Sequence, residues 1–417
     1  MAVVIRGATI IDGTGRDPRT GTVVIEADRI TSVGNDSPHH ADNQTIEANG
    51  LTLMPGLIDS HVHLTFDATD IVQNLMTPPS LRLYRAAANA KATVEAGVTT
   101  VRDAGGAPAG LKLAIAEGLF AGPRMKVSIT ALGQTGGHTD STMPSMCCLR
   151  VDFPDIPPSV VDGVEPMRQR VREILRAGAD WIKVCSTGGV LSSADSPSSS
   201  QFTVEELAAA VDEGRAHGDV EVMAHAQGTR GIKNAIRAGV KSIEHGIWLD
   251  DEAIAMMKAN DVYLVPTLVA PLQVVRRAEA KPGSIPDLYV RKAREVTADH
   301  QASFSRAVDA GVKIAMGTDS GVGPHGENAE ELERMVMGGM TPMQAIVATT
   351  ASAAKLLKVD KDLGTIATGK SADLILVEGD PLADIAILKD RQRVSIVIQG
   401  GRFVKNLLGD RVPAPLS

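Results

Sequence analysis

The chain has 417 residues, of which 43% are hydrophobic and 22% charged, and its formal net charge is −8. This composition is typical of a globular protein and excludes a mainly disordered, collagen-like or low-complexity chain. The acidic balance argues against a nucleic-acid partner, because nucleic-acid binders normally carry a basic excess.

Cysteine usage and the apolar runs indicate the cellular compartment. Three cysteines are an odd and sparse set for this length, which disfavours a disulfide framework. The first residues lack the pattern of a secretory signal. No run of about 18 apolar residues, the length that spans a bilayer, is present. We therefore expect a cytoplasmic protein without a membrane partner.

Both ends of the chain are rich in short β-strand patterns. β-branched runs followed by turn residues fill the first fifty residues, and similar runs at 373–377 and 394–398 lie near the end. The sequence predicts a small composite β-sandwich domain formed by residues 1–54 and 362–417, with a separate domain at 55–361.

Strand-like runs alternate with helical patterns through this central part. The eight runs are 53–63, 99–103, 126–130, 181–185, 220–225, 242–245, 262–266 and 313–319. Capping boxes beginning at Thr203 and Thr341 predict the starts of two helices. The alternation predicts an α/β fold, a (β/α)₈ TIM barrel. An open doubly wound sheet is the alternative, but no Gly-x-Gly-x-x-Gly motif follows the first strand.

Six residues with metal-binding or proton-transfer side chains fall at the carboxyl ends of the predicted barrel strands, where barrel active sites lie. They are His61, His63, Lys183, His225, His245 and Asp319. Imidazole and carboxylate groups are the usual ligands of hydrolytic zinc. Two long segments, 131–165 and 186–202, follow strands and are expected at the same face, where the sequence leaves open whether they act as lids.

Lys183 has two chemical interpretations. Burial in a barrel lowers the pKa of a lysine, and the neutral amine can form a Schiff base or react with carbon dioxide to give a carbamate. The surrounding histidines favour the carbamate, because a Schiff-base lysine needs no histidine cluster. A Schiff-base lyase and a non-catalytic scaffold remain the alternatives to a hydrolase.

Several motifs together resemble those of the amidohydrolase superfamily, in its binuclear, carboxylated-lysine branch. These motifs are Pro55–His63, Ile182–Val184, His225–Gly228, Ile243–Gly246, Gly317–Asp319 and Gly369–Leu374. Within the superfamily the chain looks similar to prolidase- and imidazolonepropionase-like proteins. That neighbourhood includes Xaa-Pro dipeptidases, ochratoxin-hydrolysing amidases and phenylurea hydrolases.

The resemblance implies a metal set and a mechanism. It places His61, His63 and Asp319 on a more buried metal and His225 and His245 on a more exposed one. Lys183, carboxylated by carbon dioxide, would bridge two divalent ions, with zinc favoured and manganese, iron or cobalt as alternatives. A metal-bridging hydroxide would attack an amide, and Asp319 would pass its proton to the leaving amine.

Other residues are predicted to contact the substrate. The resemblance implies that His138 polarises the scissile carbonyl or stabilises the oxyanion, while Gly188 and His325 lie on loops expected at the active face. Several relatives carry a second histidine at the position of Gln227. This difference leaves the predicted metal ligands unchanged, but it leaves open how the substrate is recognised. The remaining histidines, His39, His40, His217 and His300, are predicted to lie on the surface.

The favoured substrates are small molecules, namely dipeptides or N-acyl amino acids whose leaving group is a C-terminal amino acid. Xaa-Pro dipeptides, carboxypeptidase-like substrates and ochratoxin-type amides belong to this class. The alternative is hydrolysis of a xenobiotic urea, carbamate or ester, or of a cyclic amide. Binding a substrate carboxylate needs a cation, for which Arg102, Arg150 and Arg168 are candidates. We also expect a homo-oligomer.

Overall fold

The structure is a computed structural model that describes residues 2–34, 44–66, 76–143, 145–148, 153 and 155–409. Its strands are β1 (Ala2–Ile10), β2 (Arg19–Glu26), β3 (Arg29–Gly34), β4 (Gln44–Glu47), β5 (Leu51–Pro55), β6 (Leu57–Val62), β7 (Val98–Asp103), β8 (Arg124–Val127), β9 (Ala131–Leu132), β10 (Ile182–Cys185), β11 (Val222–Ala226), β12 (Ser242–His245), β13 (Tyr263–Val265), β14 (Leu374–Glu378), β15 (Val394–Gln399) and β16 (Arg402–Asn406). Its α-helices are α1 (Pro79–Glu95), α2 (Ala109–Ala116), α3 (Val164–Arg176), α4 (Val204–Ala216), α5 (Thr229–Ala238), α6 (Asp251–Ala259), α7 (Val269–Ala280), α8 (Asp287–Asp309), α9 (Glu330–Met337), α10 (Pro342–Ala348) and α11 (Ala351–Leu356). Within these ranges no helix is both long enough and apolar enough to cross a membrane.

Strands from both ends of the chain form one eight-stranded mixed sheet. Its hydrogen-bonded order is β16-β15-β14-β5-β1-β2-β3, and β4 also pairs with β1. The antiparallel pairing of β14 with β5 joins the C-terminal strands to the N-terminal ones. Because side chains alternate along a strand, Leu374 and Leu376 pack in the core of this sheet, whereas Ile375 and Val377 pack against the central residues. The sheet is therefore composite, and one face of it holds the central part of the chain.

The central strands form two parallel sheets that the last predicted strand connects. One sheet has the order β6-β7-β8 and the other the order β13-β12-β11-β10-β9. Ile314 bridges Leu264 in β13, and Ser320 bridges Val62 in β6, so this segment contacts an edge of each sheet. Most of the strands alternate with helices, as the sequence predicts. Both predicted capping boxes are confirmed at the starts of α4 and α10.

Three predicted strands differ from the observed ones. The run at 126–130 overlaps β8 only at 126–127, and the separate strand β9 follows it and pairs with β10. The run at 53–63 belongs to two sheets, since β5 lies in the terminal sheet and β6 in a parallel one. The chain changes sheets at Gly56, where a Cβ atom would lie only 2.3 Å from Oγ1 of Thr99, so a side chain would collide with β7. The run at 313–319 forms no regular strand and pairs through isolated bridges at Ile314 and at the adjacent Ser320.

Candidate active site

Three of the predicted ligands and the lysine meet at the carboxyl end of β6. Nε2 of His61 lies 3.5 Å from Oδ1 of Asp319, and Nε2 of His63 lies 3.3 Å from the same oxygen. One ligand atom from each of these three residues lies within 4.8 Å of the others. Nζ of Lys183 is 3.5 Å from Nε2 of His61. Two imidazoles and a carboxylate at this spacing fit a divalent metal ion such as zinc.

The other two histidines lie beside this group, on β11 and at the end of β12. The ring centroid of His245 is 5.2 Å from that of His61 and 4.5 Å from that of His225. Nδ1 of His245 lies 2.7 Å from Oγ1 of Thr267, which leaves Nε2 for another partner. Nε2 of His225 is 3.0 Å from the carbonyl oxygen of Gly188. The predicted substrate contact Gly188 therefore touches a candidate ligand.

The protonation of three of the four candidate histidines suits metal binding, whereas the pKa of His63 is raised because its hydrogen bond to Asp319 and the nearby carboxylate charges together outweigh the effect of burial. Burial lowers the pKa of His61, His225 and His245 well below 6.5, so these imidazoles are neutral, as metal ligands must be. Burial also lowers the pKa of Lys183, which favours the neutral amine that can react with carbon dioxide. Although burial opposes its ionisation, the pKa of Asp319 is lowered because His61 and His63 stabilise the carboxylate.

Two candidate ligands have an unusual backbone conformation. His245 has φ +73° and Asp319 has φ +61°, in the left-handed region that residues with a side chain rarely adopt. The backbone N–H of Asp319 donates to the carbonyl of His61 at 2.7 Å, which holds this turn in place. Residues held in such conformations cluster at functional sites. The strain agrees with a functional role for both residues.

The group lies in a cavity of about 430 Å³ that both polar and apolar residues line. The apolar wall contains Val190, Ile247, Ala270, Val274, Val296 and Val322, which pack together in one cluster. Such a wall favours an apolar substrate group, because burying apolar surface contributes about 25 cal/mol per Å².

The predicted substrate contacts fall in different places. His138 lines the cavity, and its ring stacks on that of His225 with centroids 4.1 Å apart. Gln227 also lines it, and its Oε1 has no hydrogen-bond partner among the described residues. His325 lines a second depression instead, and its Nε2 lies 3.2 Å from the carbonyl oxygen of Phe66.

His300 was predicted to lie on the surface, and this prediction was wrong. Its side chain is buried and lines the cavity. Its Nε2 lies 3.0 Å and 2.8 Å from the carbonyl oxygens of His245 and Pro266, so this nitrogen must carry the hydrogen. Burial lowers the pKa of His300 to about 4. His300 lies four residues after Val296 and four residues before Phe304, and both of these residues are buried on α8. This helical spacing is the sequence signal that indicates an inward position for His300. His217 is exposed as predicted, and His39 and His40 lie outside the described residues.

The structure bears on the three arginines among which the sequence did not choose. Arg102 is fully buried, and its Nη2 donates to Oε1 of Glu244 at 2.9 Å, so it cannot reach a substrate carboxylate. Arg168 pairs with Glu213 at 3.2 Å, away from the cavity, and Arg150 lies outside the described residues. Among the residues that the structure describes, Arg82 on α1 is the one arginine lining the cavity.

Comparison with known proteins identifies the family. The model of the amidohydrolase family matches residues 52–404. The chain belongs to the amidohydrolase family. It is therefore a hydrolytic enzyme acting on amide bonds, in agreement with the resemblance of its motifs.

Relatives of this amidohydrolase match it over nearly its whole length. Ochratoxinase from Aspergillus niger is 34% identical over 420 residues, covering 96% of this chain and 86% of the relative. A crystal structure of a Xaa-Pro dipeptidase with bound methionine in its active site is 36% identical, with a TM-score of 0.88 over 97% of this chain and 99% of that one. A prolidase complexed with N-methylphosphonate-L-proline is 35% identical, with a TM-score of 0.89 over 97% and 100%.

Proposed function

We propose that this amidohydrolase cleaves dipeptides or N-acyl amino acids and releases a C-terminal amino acid, using two divalent metal ions. The convergence of four imidazoles, a carboxylate and a buried lysine on a cavity with an aliphatic wall carries the proposal. The Xaa-Pro dipeptidase that binds methionine supports it, because that relative accepts an amino acid with an apolar side chain in its active site.

The residues present fit a pair of metal ions. His61, His63 and Asp319 would hold one ion, His225 and His245 the other, and a carboxylated Lys183 would join them. Bound divalent cations supply Lewis acidity and lower the pKa of a coordinated water. Zinc is the first choice for these ligands, with manganese, iron and cobalt as alternatives, and carbon dioxide is the reagent that carboxylates the lysine.

The chain's own residues have distinct roles in the hydrolysis that we propose. Asp319 accepts a proton from the attacking water and returns it to the leaving nitrogen. His138, above His225, contacts the scissile carbonyl group, where charge develops in the transition state. Arg82 binds the carboxylate of the leaving amino acid, since it is the arginine that lines the cavity.

We also propose a domain organisation that extends beyond the observed strand pairing. The two parallel sheets and the 313–320 segment form one (β/α)₈ barrel spanning residues 55–361, which supports the site. Residues 1–54 and 362–417 form the accompanying β-sandwich domain. A cytoplasmic homo-oligomer is the proposed state of the enzyme.

A substrate panel tests the proposed function. The purified protein is loaded with zinc, manganese or cobalt in bicarbonate buffer and assayed for amine release from alanyl-proline, alanyl-methionine, N-acetyl-methionine, a phenylurea and a cyclic amide. We expect turnover of the dipeptides or the N-acyl amino acid. Turnover of the phenylurea or the cyclic amide alone would contradict our proposal and support the alternative substrate class.

A further inference from the structure

We propose that Ser192 and Asp195 are positioning residues that hold the imidazole of His138 for the substrate. This inference rests on the proposed function, in which His138 contacts the reacting carbonyl. Both positioning residues lie in the 186–202 segment, after β10, and the motifs that carry the family resemblance do not include them.

Hydrogen bonds connect the three side chains in series. Nδ1 of His138 lies 3.0 Å from Oγ of Ser192, and this hydroxyl makes a short hydrogen bond to Oδ1 of Asp195. A carboxylate only accepts, so the single hydroxyl hydrogen goes to Asp195 or to the carbonyl of Gly189, which is 3.1 Å away. In either case the oxygen of Ser192 is left to accept from Nδ1–H of His138. Nε2 is therefore the nitrogen of this imidazole that is available to a substrate.

The same segment also holds the backbone of His138. Its N–H donates to Oε1 of Gln201 at 3.1 Å, and Nε2 of Gln201 donates to Oδ2 of Asp195 at 2.8 Å. A Cβ atom on Gly189 would lie 2.2 Å from Cε1 of His138, so glycine allows the segment to lie directly against the ring. The imidazole is thus held at its backbone, its edge and, through stacking on His225, its face.

Lys292 fixes this segment to the rest of the fold. Its buried ammonium group, on α8, donates to the carbonyl oxygens of Gly189 at 3.0 Å, Ser192 at 2.7 Å and Asp195 at 2.6 Å. Its Nζ also lies 3.6 Å from Oδ1 of Asp195. A rigid support of this kind holds a catalytic group within the small tolerance that chemistry needs, because a displacement of about 1 Å can cost roughly 100-fold in rate.

A double-mutant cycle tests the inference. The Ser192→Ala, His138→Ala and doubly substituted enzymes are compared on the best substrate of the panel, with the metal-loaded wild type as reference. We expect Ser192→Ala to lower kcat by about 10–100-fold while KM and bound metal stay near wild type. On the His138→Ala background the same change has no further effect, because it acts through the imidazole. Ser192→Thr keeps the hydroxyl and restores most of the activity.

A control variant and further measurements distinguish the ways in which the inference could fail. Ser199→Ala removes an exposed hydroxyl of the same segment and is expected to match the wild type. Equal losses from Ser192→Ala on both backgrounds, or no loss on either, would overturn the positioning role. Full activity of His138→Ala would instead show that the proposed role of His138 is wrong. The melting temperature of each variant shows whether a lost activity comes from unfolding.

Discussion

Nδ1 of His61 lies 2.7 Å from Oε2 of Glu244, and both side chains are buried. The second oxygen of Glu244 accepts from Nη2 of Arg102 at 2.9 Å, and the guanidinium of Arg102 also lies 4.5 Å from the ring of Trp181. Since the carboxylate only accepts, Nδ1 of His61 carries the hydrogen and Nε2 faces Asp319 and Lys183. Partners of this kind set the tautomer and orientation of metal-binding histidines.

The first prediction is that Glu244→Gln weakens metal binding. Losing the carboxylate removes the group that orients His61, so we expect zinc affinity to fall by about 10–100-fold in a competition titration with a chelator. The variant should also melt at a lower temperature, because Arg102 becomes a buried, unpaired charge, which costs about 3–5 kcal/mol. Glu205→Gln, at an exposed position on α4, is the control. Zinc affinity equal to that of the wild type would show that Glu244 does not orient His61.

Lys183→Ala tests the bridging carbamate. Without the amine no carbamate forms, so the variant should bind less metal and lose activity by roughly 100-fold or more. Added acetate should restore part of the activity by supplying a carboxylate in the vacated space. Metal analysis and rate measurements are made in parallel on Lys258→Ala, an exposed lysine on α6. Retention of full activity in the Lys183 variant would refute the carbamate role.

Arg82→Met tests carboxylate recognition. A hydrogen bond to a charged group contributes about 1.5–3 kcal/mol, so KM for alanyl-proline should rise by roughly 10-fold or more with little change in kcat. Alanyl-prolinamide, which lacks the carboxylate, should be turned over equally by the variant and the wild type. Arg85→Met, from the same helix, is the control. If KM for the dipeptide does not change, another group binds the carboxylate.

Gly189→Ala tests the close contact between the 186–202 segment and His138. The added Cβ would lie 2.2 Å from Cε1 of the imidazole, so the ring or the segment must move. We expect kcat to fall by about 10-fold or more, with metal content unchanged. Gly110→Ala is the matched control, because nothing lies within 4 Å of the position of its Cβ. Normal kcat in Gly189→Ala would mean that the position of the ring does not matter for the reaction.

Glu331 makes stability depend on pH. Burial raises the pKa of this carboxyl from 4.5 to about 8, although it accepts hydrogen bonds from the backbone N–H groups of Leu268 and Val269. The folded protein therefore holds a proton that the unfolded chain releases. Its contribution to the free energy of unfolding is complete below pH 4.5 and is lost as the pH rises to about 8, by at most about 1.4 kcal/mol per pH unit.

Thermal unfolding between pH 5 and 9 checks this prediction, compared with Glu331→Gln. The variant cannot titrate at this position, so its melting temperature should fall less steeply across the range than that of the wild type. Glu205→Gln, which is exposed, should follow the wild type. Parallel curves for the wild type and the Glu331 variant would show that another group causes the pH dependence.

Local patterns in the sequence were sufficient to predict much of the fold. The capping boxes at Thr203 and Thr341 involve residues three apart, and alternation along a strand depends only on neighbouring residues. The histidines, the lysine and the aspartate could be placed at one face because the ends of parallel strands meet there. Nearby residues determine the caps and the alternation, and the general rule for parallel strands supplies the rest, so a single sequence is enough to predict these features.

The tertiary structure decided which residues support the candidate site and which line its cavity. Arg102, one of the three candidate cations, pairs with Glu244, 142 positions away, and is buried in the fold. Lys292 reaches carbonyls about 100 positions earlier, and Nε2 of the buried His300 reaches the carbonyl oxygens of His245 and Pro266 on other elements. These contacts depend on how distant elements pack, and no local pattern encodes that packing. The sequence by itself determined the chemistry of the candidate ligands, whereas only the fold decided how those side chains are held.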